Sequence, residues 1–158
     1  MSPRQWAEVH CVINGRACQT VVDVRASLAD MLRGEYRLTS VKQGCQVGEC
    51  GACTVLINGE SFNACIYLAV WADGKEIRTL EGVSKADGEL SAVQRAFVEE
   101  GAIQCGFCTP GFVMTAEEIA AQGKGYSDEE LRTLLSGHLC RCTGYENILK
   151  AVRRVAGT

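Results

Sequence analysis

Eight of the ten cysteines stand in two groups of four, and this grouping limits the fold more than any other feature of the sequence. The later group comprises a Cys105-x2-Cys108 pair and a Cys140-x-Cys142 pair, separated by thirty-one residues that read as largely helical. Only a folded chain can bring these two pairs together. In a reducing compartment, grouped cysteines favour metal or cluster ligation over disulfides. The later group therefore predicts a four-thiolate site.

The earlier group has the spacing Cys45-x4-Cys50-x2-Cys53, and Cys65 follows after eleven further residues. This spacing matches the pattern of plant-type [2Fe–2S] ferredoxins. The loop also contains three glycines, which let a backbone bring its N–H groups close to a cluster without Cβ clashes; they are Gly44, Gly48 and Gly51. A structural zinc site is the alternative, but zinc ribbons usually supply two C-x2-C knuckles. The spacing favours a [2Fe–2S] cluster.

The later group matches neither a ferredoxin spacing nor a common zinc spacing. Its C-x-C pair, Cys140 and Cys142, is too tight for a typical zinc knuckle. On its residues alone, this group is a four-thiolate site for either an iron–sulfur cluster or zinc.

Two Asn-Gly dipeptides predict β-hairpins in the first half of the chain. The first lies between strands over 8–13 and 16–24 and places Cys11 opposite Cys18, which we expect to be free thiols on neighbouring strands. The second lies between strands over 54–57 and 60–66, so that strand pairing would deliver Cys65.

Other signals complete the predicted N-terminal domain. Ser27 can cap a short helix, a closing strand covers 75–80, and Trp71 is expected to pack inside the domain. The polar segment 81–88 then separates strand-like from helix-like sequence, and we take it as the domain boundary. The chain is therefore expected to have one domain over 1–82 and a second over 83–158.

Four helices are predicted in the second domain from apolar residues at helical spacing. Their inward-facing residues are expected to include Leu90, Val93, Phe97 and Val98, then Phe112, Val113, Ala116, Ile119 and Ala120, then Leu131, Leu134 and Leu135, and finally Ile148, Leu149 and Val152. Pro110 can occupy a first helical turn, and Ser127 with Glu130 forms a capping-box pattern. The fold class is thus α+β, with a β-rich first domain and a four-helix bundle as the second.

Charge and composition exclude several functions. The net charge of −3 offers no basic field for a nucleic-acid backbone or an anionic membrane. The sequence has no targeting pattern at its N-terminus and no apolar run of the roughly 20 residues that a membrane span needs. We expect the chain to stay in the cytoplasm.

No substrate site is expected from the sequence. It has no Walker or dinucleotide-binding loop, and neither His10 nor His138 has a credible nucleophile partner.

Three motifs together resemble those of the small iron–sulfur subunit of molybdenum hydroxylases, the family of xanthine dehydrogenase, aldehyde oxidoreductase and carbon monoxide dehydrogenase. They are the loop at 44–53, the segment from Gln104 to Gly111 and the segment from Leu139 to Tyr145. The resemblance spans about residues 9–155, and the segment 71–82 looks most like bacterial xanthine dehydrogenase small subunits.

The resemblance implies a β-grasp, plant-type ferredoxin domain that holds one [2Fe–2S] cluster nearer the flavin, and a four-helix domain that holds a second nearer the molybdenum. The implied ligands are Cys45, Cys50, Cys53 and Cys65 for the first cluster, and Cys105, Cys108, Cys140 and Cys142 for the second. It also places Gln104 and Cys142 against the pterin of a molybdenum cofactor in a partner chain.

The implied function is single-electron transfer from a molybdenum–pterin centre in a large partner subunit, through both clusters, to FAD in another subunit. Such a complex is a heterotrimer, with a dimer of heterotrimers as an open alternative. A purine such as xanthine is the expected substrate of the complex, and aldehydes, nicotinate and carbon monoxide are alternatives. A free-standing ferredoxin-type carrier and a zinc-stabilised interaction module are the rival functions.

Overall fold

The computed structural model describes residues 5–85 and 87–157, so the prediction about a targeting segment at the N-terminus falls partly on residues 1–4, outside the described ones. The elements in chain order are β1 (Trp6–Ile13), β2 (Arg16–Asp23), α1 (Leu28–Gly34), β3 (Thr54–Ile57), β4 (Glu60–Asn63), β5 (Glu76–Arg78), α2 (Ala92–Glu99), α3 (Thr109–Gln122), α4 (Asp128–Leu135) and α5 (Glu146–Val155). Short 3₁₀ helices precede and follow β5, at Ala69–Ala72 and Leu80–Gly82. Of the helices in these described ranges, none is both long enough and apolar enough to span a bilayer.

The strands form one mixed sheet in the order β2-β1-β5-β3-β4. β1 and β2 pair antiparallel with Cys11 opposite Cys18, as the turn at Asn14-Gly15 predicts. β3 and β4 form the second predicted hairpin, and β5 runs parallel to β1 and antiparallel to β3. Both hairpins and the α+β class are therefore confirmed.

Helix α1 covers the first core. Its N-terminus is closed by a capping box in which the Ser27 hydroxyl accepts the Asp30 N–H at 3.1 Å and the Asp30 carboxylate accepts the Ser27 N–H. The helix buries Leu28, Met31 and Leu32 against the inner face of the sheet. This packing supports the loop that follows α1 and carries the first cysteines.

Helices α2 to α5 share a second core, with Phe97, Phe112 and Ile148 among its most buried side chains. Ser127 and Glu130 form the predicted capping box at the start of α4. Pro110 lies in the first turn of α3, where a missing N–H costs no hydrogen bond. The helical second half of the chain is confirmed.

The return strand of the second hairpin is shorter than predicted. β4 ends at Asn63, so Cys65 lies in the turn beyond it and is not delivered by strand pairing. The β3–β4 hydrogen bonding continues only to the fully buried Ala64, whose N–H donates to the Cys53 carbonyl at 3.3 Å. The Ala64 carbonyl accepts the Ala29 N–H from α1 at 3.0 Å. The contact of this turn with α1 therefore positions Cys65.

The predicted apolar faces are too wide at several positions. Trp71 packs on the Tyr67 ring of the first domain in a T-shaped contact, with ring centroids 5.5 Å apart, but it is 56% exposed and so lies at the surface of that domain instead of in its core. Leu90, Val98 and Leu134 are also exposed, with exposed fractions of 42%, 59% and 44%. Leu90 precedes α2, which begins only at Ala92. Val98 and Leu134 lie on short helices that each bury a single narrow stripe of side chains.

The two halves of the chain pack directly on each other. All four residues of β3 are buried, and Leu56 belongs to the helical core although it lies on the sheet. At the edges of this contact, Glu118 of α3 accepts the Ser61 N–H at 3.0 Å, and Glu117 pairs with Arg78 at 3.5 Å. The sheet is therefore covered by α1 on one face and by α3 on the other.

Because Leu56 joins the two halves, Leu56→Ala should lower the free energy of unfolding by about 2–5 kcal/mol, the usual cost of a cavity in a packed core. Leu134→Ala on the exposed face of α4 is the matched control and should change it by less than about 0.5 kcal/mol. Urea unfolding followed by circular dichroism measures both. Equal effects of the two variants would contradict the packing described for β3.

Candidate metal centres

The first group of cysteines lies on an irregular loop between α1 and β3. The Cys45 sulfur accepts hydrogen bonds from the backbone N–H groups of Val47 at 3.4 Å and Glu49 at 3.2 Å. A methyl group built on Gly44 would lie 2.9 Å from the Cys50 sulfur, and one built on Gly48 would lie 2.8 Å from the Ile66 side chain. The absence of a side chain at Gly44 and Gly48 therefore lets the loop backbone pack closely against its neighbours, as the sequence predicts.

The thiols of this group differ in their surroundings. The N–H of Val47 is the main cause that lowers the pKa of Cys45 to about 6. Burial, with Cys65 and Cys50 close by, raises the pKa of Cys53 to about 12. A bound metal ion removes the proton of a coordinating thiol outright, so the buried Cys53 thiol becomes a thiolate only with a metal beside it. The site thus has a buried side at Cys53 and an outer side at Cys45.

The second group lies where the ends of three helices meet. The Cys105 and Cys142 sulfurs are 3.5 Å apart, and the Cys140 sulfur is 3.1 Å from the Thr143 hydroxyl. Cys108 occupies the N-cap position of α3, and burial followed by the neighbouring Cys140 raises its pKa to about 12. The structure therefore brings together the two cysteine pairs that the sequence separates by thirty-one residues.

The donor sets suit [2Fe–2S] clusters. Within residues 5–85 and 87–157, no three His, Cys, Asp or Glu side chains are arranged around the position of one metal ion. The thiols instead meet in four pairs: Cys45 with Cys50, Cys53 with Cys65, Cys105 with Cys142, and Cys108 with Cys140. A [2Fe–2S] cluster takes four thiolates, spread over two irons, so paired thiols fit it better than they fit a single zinc ion.

The second group is close to the surface. Gln104, Cys105 and Cys142 are exposed, whereas Cys108 and Cys140 are partly buried. Two large apolar side chains next to these cysteines in the sequence are also exposed, Phe107 at 48% and Leu139 at 60%. A partner molecule could therefore reach Gln104 and Cys142 directly.

His138 is the residue whose position the sequence did not indicate. It lies between the two halves of the chain and is only 6% exposed. Its Nε2 shares a hydrogen bond of 2.8 Å with the Thr115 hydroxyl, whereas Nδ1 lies against the Gly51 peptide without a hydrogen bond of good geometry. Burial lowers its pKa to about 4, so the ring is neutral. In the sequence, the one feature that could have indicated this position is the place of the histidine two residues before Cys140.

Cys11 and Cys18 lie apart from both groups and are free thiols. Cys11 is 6% exposed, and burial raises its pKa to about 11, with smaller contributions from Cys18 and Asp73. Cys11 belongs to the first core, and Cys18 is partly buried beside it on the neighbouring strand.

Two family models match the chain in succession. A 2Fe-2S iron-sulfur cluster binding domain matches residues 11–88, and a [2Fe-2S] binding domain matches residues 79–153. Each model covers one group of four cysteines. The chain therefore contains two [2Fe–2S] domains.

Full-length relatives define the family more closely. The chain is 49% identical to the xanthine dehydrogenase iron-sulfur-binding subunit of Escherichia coli O157:H7, over 96% of each chain. It is 46% identical to the nicotine 6-hydroxylase small subunit of Paenarthrobacter nicotinovorans, over 99% of this chain and 93% of the relative. The crystal structure of quinoline 2-oxidoreductase from Pseudomonas putida 86 contains a chain that superposes with a TM-score of 0.91 at 44% identity, covering 97% of this chain and 94% of that one. The chain belongs to the family of small iron–sulfur subunits of molybdenum hydroxylases.

The chain also matches part of a longer protein. The aldehyde oxidoreductase of Desulfovibrio desulfuricans superposes on 94% of this chain with a TM-score of 0.88 at 39% identity, but the match covers only 17% of that chain. In that protein the corresponding fold is one segment of a much larger chain.

Because Cys11 and Cys18 are free, both should react with iodoacetamide once the protein is unfolded without reductant. In the folded protein at pH 7, Cys11 should be unreactive, because a buried thiol with a pKa of about 11 holds almost no thiolate. Mass spectrometry of the labelled peptides measures both states. A Cys11–Cys18 disulfide in the unfolded, unreduced sample would contradict this assignment.

Proposed function

We propose that this chain is the electron-transfer subunit of a molybdenum hydroxylase, in which it relays single electrons from a molybdenum–pterin centre in a large partner subunit to FAD in another. The observation that carries the proposal is the presence of two four-cysteine sites whose loops touch within one compact chain. The Leu139 N–H, next to Cys140, donates to the Cys50 carbonyl at 3.1 Å. The family to which the chain belongs supports the same role.

The proposed ligands follow the two groups of sulfurs. Cys45, Cys50, Cys53 and Cys65 would hold one [2Fe–2S] cluster, and Cys105, Cys108, Cys140 and Cys142 would hold the other. When bound, each cluster supplies a site that accepts and releases one electron. The chain holds these sites at a fixed separation, gives hydrogen bonds to the Cys45 sulfur from Val47 and Glu49, and keeps Cys53 away from water.

The second site is the proposed entry point for electrons. We assign Gln104 and Cys142 as contacts to the partner's molybdopterin, as the family resemblance implies. Both residues are exposed beside the sulfur of Cys105, and the Gln104 amide can donate and accept a hydrogen bond toward a polar heterocycle at once. The first site, on the sheet domain, would then face the FAD-binding partner.

We also propose that the domain boundary lies between residues 82 and 83 and that α2 to α5 form a four-helix bundle. The overlap of the two family models at residues 79–88 supports the boundary, and the shared core of the four helices supports the bundle.

The reaction of the complex is proposed to be oxidation of a purine such as xanthine. The xanthine dehydrogenase relative at 49% identity supports this, and so does a subunit of caffeine dehydrogenase from a Pseudomonas strain at 47%, because caffeine is a methylated xanthine. A nicotinate dehydrogenase subunit from Eubacterium barkeri at 49% identity supports nicotinate as the alternative substrate. We propose a heterotrimer in the cytoplasm, where ten free cysteines suit a reducing compartment.

The experiment that tests the function is purification of the chain through a tag, followed by metal analysis. About four iron atoms per chain and co-purification with a molybdenum-containing chain and a flavin-containing chain are expected. A colourless protein with bound zinc would indicate an interaction module instead. An iron-containing chain that elutes alone would indicate a free-standing carrier. Either result would contradict the proposal.

Gln104→Glu tests the proposed pterin contact, because it keeps the side-chain shape but replaces the amide donor with a carboxylate. The rate at which substrate reduces the iron–sulfur clusters should fall about tenfold, since a hydrogen bond is lost and a negative charge is added. Rapid-mixing absorbance measures this rate. Glu100→Gln, an isosteric change at a partly buried side chain that pairs with Arg154, is the control and should leave the rate unchanged. An unchanged rate in Gln104→Glu would remove Gln104 from the proposed contact.

A further inference from the structure

The segment from Cys140 to Tyr145 carries a closed set of hydrogen bonds around one of the proposed ligands. The Cys140 sulfur lies 3.1 Å from the Thr143 hydroxyl oxygen. That oxygen also accepts the Tyr145 N–H at 3.2 Å, and the Tyr145 hydroxyl accepts the Cys140 N–H at 3.0 Å. Each of the three residues is therefore held by the other two.

The direction of the bond between sulfur and hydroxyl follows from the state of the ligand. When Cys140 binds iron it is a thiolate, which has no proton to donate. The Tyr145 N–H already occupies an acceptor position of the Thr143 oxygen, so the hydroxyl hydrogen is free to point at the sulfur. Thr143 is therefore the donor, and it donates to a charged sulfur.

The backbone folds back on itself just before α5. Gly144 and Tyr145 both have left-handed conformations, with φ values of 64° and 70°. Such a conformation is unusual for a large aromatic residue and persists only where the surroundings hold it. With this backbone, the Tyr145 hydroxyl reaches the Cys140 N–H, and the Tyr145 N–H reaches Thr143.

A row of three rings holds Tyr145 from the other side. The Tyr145 ring lies 6.3 Å from the Phe112 ring, measured between centroids. The Phe112 ring in turn lies 4.7 Å from the ring of the buried His138. The position of Tyr145 is thus tied to the core of the second domain and to the residue that lies between the domains.

The contact around His138 is a tight one between backbones. A methyl group built on Gly111 of α3 would lie 2.2 Å from the Gly51 carbonyl oxygen and 3.2 Å from His138 Nδ1. A methyl group built on Gly51 would lie 2.2 Å from the same nitrogen. No side chain fits at either glycine, so the row of rings ends on a part of the structure that has little room to move.

Hydrogen bonds to ligand sulfurs help to set the reduction potential of an iron–sulfur site, because they stabilise the added negative charge of the reduced form. At the first site, the donors to Cys45 are the backbone N–H groups of Val47 and Glu49. At the second site, the donor to Cys140 is a side chain. A single substitution at Thr143 can therefore remove it.

We propose that the Thr143 hydroxyl raises the reduction potential of the second site through its hydrogen bond to the Cys140 sulfur, and that Tyr145 is the positioning residue that holds this donor in place. On reduction the site gains one electron, and the hydroxyl proton stays on Thr143. The inference rests on the proposed function, because it requires a cluster on the cysteines of the second site.

Thr143→Val in the assembled complex tests the donor, because it removes the hydroxyl and keeps the shape of the side chain. The equilibrium constant for reduction of the second site should fall about tenfold, since a hydrogen bond to a charged group is lost. This change lowers the potential by about 59 mV. The first site should keep its wild-type potential, and Thr143→Ser, which retains the hydroxyl, should keep both.

The measurement is potentiometry followed by electron paramagnetic resonance, in which each site contributes its own signal. Cys142→Ser identifies the signal of the second site, because it alters a ligand of that site only. Thr133→Val is the matched control, since it removes an exposed hydroxyl that donates to the Glu129 carbonyl within α4 at 2.9 Å, and it should leave both potentials unchanged.

Tyr145→Phe tests the positioning role, because it deletes the hydroxyl that holds the Cys140 N–H and keeps the ring against Phe112. The Cys140 amide should exchange with solvent about tenfold faster, as measured by hydrogen exchange with fragmentation mass spectrometry. The potential of the second site should fall, but by less than in Thr143→Val. Tyr126→Phe, whose lost hydroxyl bonds to the Gln122 side chain, is the control and should change neither quantity.

The inference is overturned if Thr143→Val leaves the potential of the second site at its wild-type value, or if both sites shift equally. If this variant loses the iron of the second site, the smaller Thr143→Ala takes its place. Loss of that iron in both variants would make Thr143 a structural residue and also overturns the inference. Unchanged exchange of the Cys140 amide in Tyr145→Phe would remove Tyr145 from it.

Failure of the proposed function looks different from failure of this inference. The wild-type protein would then contain fewer than about four irons per chain, or would purify without molybdenum-containing and flavin-containing partner chains. Neither result depends on the hydroxyl of Thr143.

Discussion

The contact of Gly51 with Gly111 and His138 is the physical constraint on which the arrangement of both sites depends. Each cysteine group can be assembled within its own domain, but their relative position is set only where the domains touch. A backbone-to-backbone contact leaves less room for movement than a contact between long side chains, because it has no rotamers to exchange. The buried β3 strand, with Leu56 in the helical core, adds apolar area to the same interface. Fixed geometry is what a chain that passes electrons between two sites requires.

Local signals in the sequence predicted much of this fold. The Asn-Gly turns predicted both hairpins, and the register of the first placed Cys11 opposite Cys18 as observed. The Ser127–Glu130 pattern predicted the start of α4. The spacing of the cysteines predicted two four-thiolate groups, and their sulfurs do meet in pairs. These features depend on residues close in sequence or on the identity and spacing of the ligands, and both can be read directly from the sequence.

The features that the sequence did not predict depend on packing between distant segments. The end of β4 at Asn63 follows from the contact of Ala64 with α1, and nothing within that segment indicates it. The outward position of Leu134 depends on which face of α4 meets α5. His138 has no local pattern that marks it as the residue between the domains. The contact that Gly111 makes could not be predicted from the sequence either, because a glycine in the first turn of a helix has many ordinary explanations.

The relatives also clarify where specificity must lie. Subunits with 46–49% identity over nearly the whole chain carry names that specify xanthine, nicotine and caffeine. Under the proposed function, a chain that passes electrons can serve all of these reactions with the same two sites. The choice of substrate would then belong to the large partner subunit that we propose.

The most direct test of the central claim is spin integration by electron paramagnetic resonance on the fully reduced complex. Two different [2Fe–2S] signals that together integrate to about two spins per chain are predicted, because the two sites differ in burial and in hydrogen bonds to sulfur. Loss of one signal only in Cys142→Ser, with the other retained, would assign the signals to the two groups. A single signal that integrates to about one spin in the wild type would contradict the account.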